Sequence, residues 1–171
     1  LVIFDRYQRQ SILPDSYLAN VADYVRKGGA VLVSSGPDFA SGDGLASTPL
    51  ADVLAAIPTG EVTQEPFKPQ VTLLGERHPV SRGLPGDAAD EPKWGRWFRL
   101  IDTSTQNNSQ ELRPGRGSKP LLALARLDSG RVAQFLSDQG WLWARGFEGG
   151  GPQLEGCVAH AYLGRQVRKG T

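Results

Sequence analysis

Hydrophobic and polar positions form a regular succession of blocks in the first part of the chain. Residues 1–4 are a continuous apolar run, which predicts a strand buried on both faces. Residues 15–27 repeat apolar side chains at helical spacing and end at a Gly-Gly pair, which predicts an amphipathic helix. Ala30–Ser34 is again continuously apolar up to its last residue. A strand, a helix and a strand within so short a stretch predict a βαβ unit, and therefore a parallel sheet.

The remaining pattern predicts shorter elements. A short helix is expected to begin at Thr48-Pro49, because proline suits the first helical position. Residues 127–130 read Leu-Asp-Ser-Gly between two apolar runs, which predicts an antiparallel hairpin with strands at 120–126 and 131–136. Further predictions are strands at 71–74 and 97–101, a polar loop at 103–119 and a final helix at 153–167.

Composition narrows the class of protein. The chain has 171 residues, enough for one domain with a hydrophobic core, and its formal net charge of +1 provides no basic field for nucleic acid. A single cysteine excludes an internal disulfide. No apolar run approaches the roughly 20 residues that span a bilayer, so we expect no direct membrane insertion by this segment. The sequence contains no methionine, which predicts a piece of a longer chain.

The turn after the second predicted strand has the position of a nucleophile elbow, the sharp strand-to-helix turn that carries a reactive Ser or Cys in many α/β enzymes. It reads Ser-Ser-Gly-Pro-Asp from Ser34, with Val33 where the first glycine of that motif belongs. Ser35 is the candidate nucleophile by position, and a serine needs a base such as His78 or His160 within reach. The alternative is a hydroxyl that only caps the turn.

Polar side chains follow the predicted parallel strands. Asp5 follows the first strand, Ser34, Ser35 and Asp38 follow the second, and His78 follows the strand predicted at 71–74. Carboxyl ends of parallel strands meet at one edge of a sheet, where such folds bind ligands, so these five residues are candidate ligand contacts. Ordinary loop capping by Asp and Ser is the competing interpretation.

Aromatic residues indicate an interface. Four tryptophans, interleaved with arginines, are candidate interface residues because Trp and Arg are enriched at binding hot spots: Trp94, Trp97, Trp141 and Trp143. Arg–Trp stacking that is only structural is the alternative.

A metal site has weak support. Cys157 and His160 would share one face of the final helix, but a small buried thiol beside a surface histidine is the better explanation of that spacing. We therefore predict no metal and no cofactor.

Several motifs in order resemble the class I glutamine amidotransferase-like superfamily. They are the stretch 28–37 (GGAVLVSSGP), then 48–54 (TPLADVL), the His-Pro-x-x-Arg-Gly-Leu-like stretch 78–84, and 130–138 (GRVAQFLSD) followed by 141–145 (WLWAR). The chain looks closest to a branch found inside large bacterial membrane proteins with an aerotolerance-regulator-type N-terminal region. The resemblance implies a flavodoxin-like three-layer α/β sandwich with a mainly parallel sheet and a C-terminal antiparallel hairpin.

The departures from that family bear on activity. Its enzymes use a Cys at the elbow and a His-x-Glu pair near the C-terminus, whereas here Ser35 stands near the elbow and no His-x-Glu occurs. We therefore expect a non-catalytic scaffold or interaction domain of a larger membrane-anchored bacterial protein. Its expected partners are other domains of the same chain, a protein partner or a second copy. The alternative is a hydrolase or small-ligand-binding domain that uses the strand-edge site around Ser35 and His78.

Overall fold

The computed structural model describes residues 1–9, 13–81, 93–106, 109–114 and 119–151. Their main sheet has five strands in the order β1-β2-β7-β6-β5, with β1 at Val2–Asp5, β2 at Ala30–Ser34, β5 at Gln110–Pro114, β6 at Pro120–Leu127 and β7 at Gly130–Phe135. β1, β2 and β7 pair in parallel, and β6 is antiparallel to both of its neighbours. Four of the five strands therefore run in one direction, and the predicted α/β class with a mainly parallel sheet is confirmed.

The predicted βαβ unit is present. Helix α1 at Asp15–Arg26 connects β1 to β2, and its buried residues Leu18, Ala22 and Val25 form one stripe. The hairpin is present as well: β6 and β7 pair around a turn in which Asp128 has φ 51°, and Gly130 opens β7. A Cβ on Gly130 would overlap the carbonyl oxygen of Val25, so only glycine lets the hairpin approach the end of α1 this closely.

The first strand differs from its prediction. β1 lies at an edge of the sheet, and its only buried side chain is that of Phe4, while Ile3 is 57% exposed. The expectation of burial on both faces was wrong, because an apolar run alone does not separate a central strand from an edge strand. β2 lies in the interior of the sheet, between β1 and β7, and all five of its residues are buried.

The sequence pattern predicted only part of a second sheet. β3 at Ala56–Thr63 pairs antiparallel with β4 at Leu100–Thr105. The strand predicted at 97–101 therefore starts later, and Trp97 makes only an isolated bridge to Phe67. The loop predicted at 103–119 contains the end of β4 and all of β5. Gln134 of β7 links the sheets, because its Oε1 accepts a hydrogen bond of 3.1 Å from the Ala56 N–H.

The strand predicted at 71–74 was wrong. Helix α2 occupies Leu73–Arg77, and Thr72 caps it by accepting a 2.9 Å hydrogen bond from the Gly75 N–H. Short helices also occur at Pro37–Phe39, Leu45–Ser47, Pro49–Val53 and Phe147–Gly149, and α3 spans Gly140–Ala144. The helix at Pro49–Val53 agrees with the predicted start, and the helix predicted at 153–167 lies outside the described residues.

Candidate functional site

The turn after β2 buries the serine at the elbow position. The Ser35 N–H donates to the Phe135 carbonyl at 2.9 Å, so the main chain stays joined to β7 beyond the end of the strand. The Ser34 hydroxyl donates to the Ser137 carbonyl at 3.4 Å. The Ser35 side chain is different: the residue is 2% exposed, and its hydroxyl oxygen forms no hydrogen bond with any described residue.

Charged groups surround this turn at the carboxyl edge of the parallel strands. Arg6 follows β1 with φ 46°, and its N–H donates to the Ser34 carbonyl at 3.0 Å. A Cβ on Gly36 would lie 3.5 Å from the Arg6 Cγ and 3.7 Å from an Asp138 carboxylate oxygen. The side chains of Arg6 and Asp138 therefore converge on Gly36, while Asp5 remains exposed beside the Arg6 guanidinium.

Asp138 is held by Arg99. The Arg99 Nη1 lies 3.0 and 3.2 Å from the two carboxylate oxygens, and the Ser137 hydroxyl donates to the Arg99 carbonyl at 2.7 Å. The carboxylate is nearly buried, with 9% of the side chain exposed, and the arginine side chain is 29% exposed. This pair was not predicted as part of the site, although Asp138 follows a parallel strand as Asp5 does, and that position was the available signal.

Asp38 lies within the short helix that follows the elbow turn. Its carbonyl accepts hydrogen bonds from the Ser41 hydroxyl at 2.7 Å and the Ser41 N–H at 3.2 Å. These main-chain bonds give Asp38 a part in the local turn, and its half-buried side chain follows the same strand as Ser35.

His78 follows α2, and its electrostatic environment differs from that of the elbow turn. Burial, and then the positive charge of Arg126, lower the pKa of the His78 imidazole from its ordinary value of 6.5. Arg126 pairs with Arg131 at the beginning of β7, whereas Ser35 contacts Phe135 at its end. The imidazole Nδ1 accepts a 3.3 Å hydrogen bond from the Val80 N–H. The structure thus brings Ser34 and Ser35 close to the end of β1 and gives the Ser35 hydroxyl no hydrogen bond to His78.

Three of the four tryptophans are buried together. Trp143 packs against Trp94 and Trp97 with ring centroids 5.6 and 5.2 Å away, and its indole N–H donates to the Gly95 carbonyl at 2.9 Å. Trp141 alone of the four is at the surface, 51% exposed, with the Arg145 guanidinium 5.6 Å from its ring centroid. Any role of these residues at an interface therefore rests on Trp141.

A second ionic cluster connects the two sheets. Asp102 in β4 is buried, accepts a 3.0 Å hydrogen bond from the Thr63 hydroxyl and forms an ion pair with Lys119, which immediately precedes β6. Lys119 also lies 3.4 Å from the Thr63 hydroxyl. Asp102 and Thr63 belong to the second sheet, and Lys119 adjoins β6 of the main sheet. The cluster therefore holds the two sheets together.

The described residues carry neither a metal-binding cluster nor a membrane-spanning helix. Among the described residues, no group of three or more His, Cys, Asp or Glu side chains could hold a metal ion. The candidate residues Cys157 and His160 lie outside those residues. Within the described segments, no helix is long and apolar enough to cross a membrane.

Comparisons with known proteins give the fold and no family. No protein-family model matches the chain, and no curated protein matches it. Among solved structures it is similar to Cytoplasmic Protein STM1381 from Salmonella typhimurium LT2, at 24% identity and a TM-score of 0.65, over 97% of this chain and 69% of that one. Cytoplasmic Protein STM3548 from Salmonella typhimurium matches at 22% identity and a TM-score of 0.60, over 80% of this chain.

The lengths of these neighbours differ from that of this chain. The match spans 59% of the STM3548 chain. A beta-galactosidase from Bacillus circulans sp. alkalophilus matches at 12% identity and a TM-score of 0.59, over 96% of this chain but 22% of its own. At these identities the likeness shows the fold alone: the chain has an α/β fold that also occurs as a minor part of a much longer protein.

Proposed function

We propose that this chain is a non-catalytic domain of the glutamine amidotransferase-like class and acts as a scaffold or interaction module in a larger membrane-anchored bacterial protein. The proposal rests on the surroundings of the Ser35 side chain. The residue at the elbow position is buried, and its hydroxyl has no hydrogen-bond partner among the described residues.

A nucleophilic serine has two requirements. A base must accept the proton of its hydroxyl, and the reacting oxygen must be open to the substrate. No described residue forms a hydrogen bond with the Ser35 hydroxyl as a base would, and the residue is buried. The sequence also lacks the elbow Cys and the His-x-Glu pair of the enzymes that it resembles.

The role as one domain among several has separate support. The match covers 22% of the beta-galactosidase chain and 25% of an exo-beta-1,4-mannosidase from an Opitutaceae bacterium. A fold of this kind can therefore be one domain of a long chain. On the proposal, the flavodoxin-like sandwich docks on other domains of its own chain or on a protein partner. The membrane anchor belongs to parts of the protein other than the described residues.

The test is a sensitive assay of glutamine hydrolysis with the purified 171-residue chain. We expect ammonia release equal to that of buffer, and the same for Ser35→Ala. Activity that survives repurification and disappears in Ser35→Ala would overturn the proposal. A Tyr17→Ala variant serves as a control, since it changes an exposed side chain on α1, which the candidate site does not include.

A second candidate function is binding of a small polar ligand at the carboxyl edge, or its hydrolysis there with Ser35 and His78. It is favoured by one observation: Arg6 and Asp138 converge on Gly36, next to the buried Ser35 hydroxyl, which has no hydrogen-bond partner in the described part of the chain. Titration with glutamine, followed through the amide resonances of Ser35 and Gly36, tests it. Saturable shifts that Asp138→Asn abolishes would support this candidate, and unchanged spectra would exclude glutamine as its ligand.

A further inference from the structure

Two distant segments build one compact unit at the carboxyl edge of the sheet. The Gly95 N–H donates to the Gly150 carbonyl at 2.8 Å, and the Phe98 N–H donates to the Gln139 side-chain oxygen at 2.7 Å. Arg96 binds the Glu148 carboxylate through its main-chain N–H and its Nε, both at 3.0 Å. With the three buried tryptophans beneath, the outer residues of this unit sit on a fixed base.

The outer face of this unit is aromatic. Trp141 is half exposed, and Phe147 is 41% exposed. Phe147 packs edge-on against Phe98 at 5.7 Å, and the Arg96 guanidinium lies 5.8 Å from the Phe98 ring centroid. We call Trp141, Arg145, Phe147 and Arg96 the Trp141 surface. Exposed aromatic rings flanked by arginines have the composition of interface hot spots.

In the same unit, the acidic side chains are paired within the protein and some of the basic ones are not paired with described residues. Its acidic side chains with described contacts are already occupied, Glu148 by Arg96 and Asp138 by Arg99. Arg145 stacks on Trp141 and makes no ion pair with a described carboxylate, and exposed Lys93 likewise makes none. Lys68 adds a further positive charge near Glu148. The exposed Trp141 ring therefore lies beside a cation, Arg145, that a partner's carboxylate can pair with.

We propose that the Trp141 surface binds an acidic protein segment that inserts an aromatic or aliphatic side chain beside Trp141 and pairs a carboxylate with Arg145. The inference rests on the proposed function, because it names the partner chemistry of an interaction module. Charge complementarity selects this occupant, since Arg145 lies 5.6 Å from the centroid of the exposed ring and makes no ion pair with a described carboxylate. An anionic membrane is the rival binding partner, and it requires several basic side chains side by side, whereas Arg96 of this surface is already paired with Glu148.

The test uses the 171-residue chain and fluorescent peptides of known composition. One peptide repeats Asp-Asp-Leu-Phe, a second repeats Lys-Lys-Leu-Phe and a third repeats Asp-Asp-Ser-Gly. We expect saturable binding of the first alone, weakened about tenfold or more by Trp141→Ala and by Arg145→Glu. Tyr17→Ala is the matched control, because Tyr17 is an exposed aromatic residue on α1 and its loss should leave binding unchanged.

Several results would overturn the inference. These are no binding of the first peptide at about 1 mM, equal binding of the basic peptide, or an equal loss in Tyr17→Ala. Binding of vesicles containing about 30% phosphatidylserine in place of the peptide would assign the surface to a membrane. Near-ultraviolet circular dichroism of the buried tryptophans confirms that each variant is folded. Glutamine hydrolysis would sink the proposed function without touching the peptide result, so the two failures are distinguishable.

Discussion

Arg99 and Asp138 lie roughly 40 residues apart in the sequence and form a two-contact ion pair, with one guanidinium nitrogen 3.0 and 3.2 Å from the two carboxylate oxygens. Arg99 directly precedes β4 of the second sheet, and Asp138 follows β7 of the first. The pair therefore ties the ends of the two sheets together beside the elbow turn.

Removing the arginine leaves a nearly buried carboxylate without its cation. We expect Arg99→Ala to lower the free energy of unfolding by about 2 to 3 kcal/mol, since hydrogen bonds to charged groups contribute that much. Urea denaturation measures it. Arg26→Ala breaks two exposed pairs, with Asp23 and Asp52, and should cost about 1 kcal/mol or less. Equal losses in the two variants would show that burial of Asp138 does not matter.

Two buried serines should respond oppositely to the loss of their hydroxyls. The Ser81 hydroxyl donates to the Gly75 carbonyl at 2.6 Å, so Ser81→Ala should destabilise the fold by about 1 kcal/mol. Ser35 has no described partner, so Ser35→Ala should be neutral or stabilising by up to about 1 kcal/mol. Thermal melts of both variants check this, and a clear loss in Ser35→Ala would mean that the hydroxyl is bonded in solution.

Gly130 should not tolerate a methyl group. In Gly130→Ala the new Cβ would overlap the Val25 carbonyl oxygen, and relieving the overlap requires a backbone shift that we expect to cost about 3 kcal/mol. At Gly42 an added Cβ meets nothing within 4 Å, so Gly42→Ala is the matched control and should change stability by about 0.5 kcal/mol at most. Similar melting temperatures for both variants would contradict the close approach.

Acid should weaken the contact between Arg96 and Glu148. The hydrogen bonds from Arg96 lower the pKa of Glu148 from 4.5 to about 2. A carboxylate with a depressed pKa stabilises the folded state above its unfolded pKa and loses that contribution as pH falls toward the folded pKa. The stability difference between the natural chain and Glu148→Gln should therefore shrink between pH 4.5 and about 2. Urea midpoints across that range measure it, and a constant difference would refute the linkage.

His78 should titrate below its ordinary pKa of 6.5. Burial is the larger cause and the charge of Arg126 the smaller, so Arg126→Ala should raise the midpoint only part of the way. Imidazole proton resonances report the titration directly. Arg145→Ala is the control, because it removes a cation of the Trp141 surface and should leave the midpoint of the His78 titration unchanged. A midpoint above 6.5 in the natural chain would contradict the burial of this side chain.

Local patterns predicted the elements whose signals are local. The stripe in α1 is buried as its spacing indicates, and the Asp-Ser-Gly turn makes the hairpin because Asp128 accepts a positive φ. The local pattern did not predict β3. It contains Pro58 and Gly60, its register shifts between Pro58 and Val62, and its partner strand lies some 40 residues later.

The candidate site was predictable only where it follows strand ends. Ser34, Ser35 and the end of β1 meet because parallel strands share an edge, which the βαβ pattern implies. The Arg99–Asp138 pair and the neighbourhood of His78 depend on how separate segments pack, and no spacing in the sequence encodes those distances. Burial of three tryptophans and exposure of the fourth follow from the same tertiary arrangement.

The pairing of β2 with β7 has a consequence for how the chain acquires its structure. Leu32 lies beside Ala133 in the sheet, so one edge of β2 waits for a neighbour that is made roughly 100 residues later. During synthesis β2 has β1 as a partner on one edge, while its other backbone edge has none until most of the domain has left the ribosome. A chain that ends between β2 and β7 therefore lacks the ladder that joins the first two strands to the rest of the sheet.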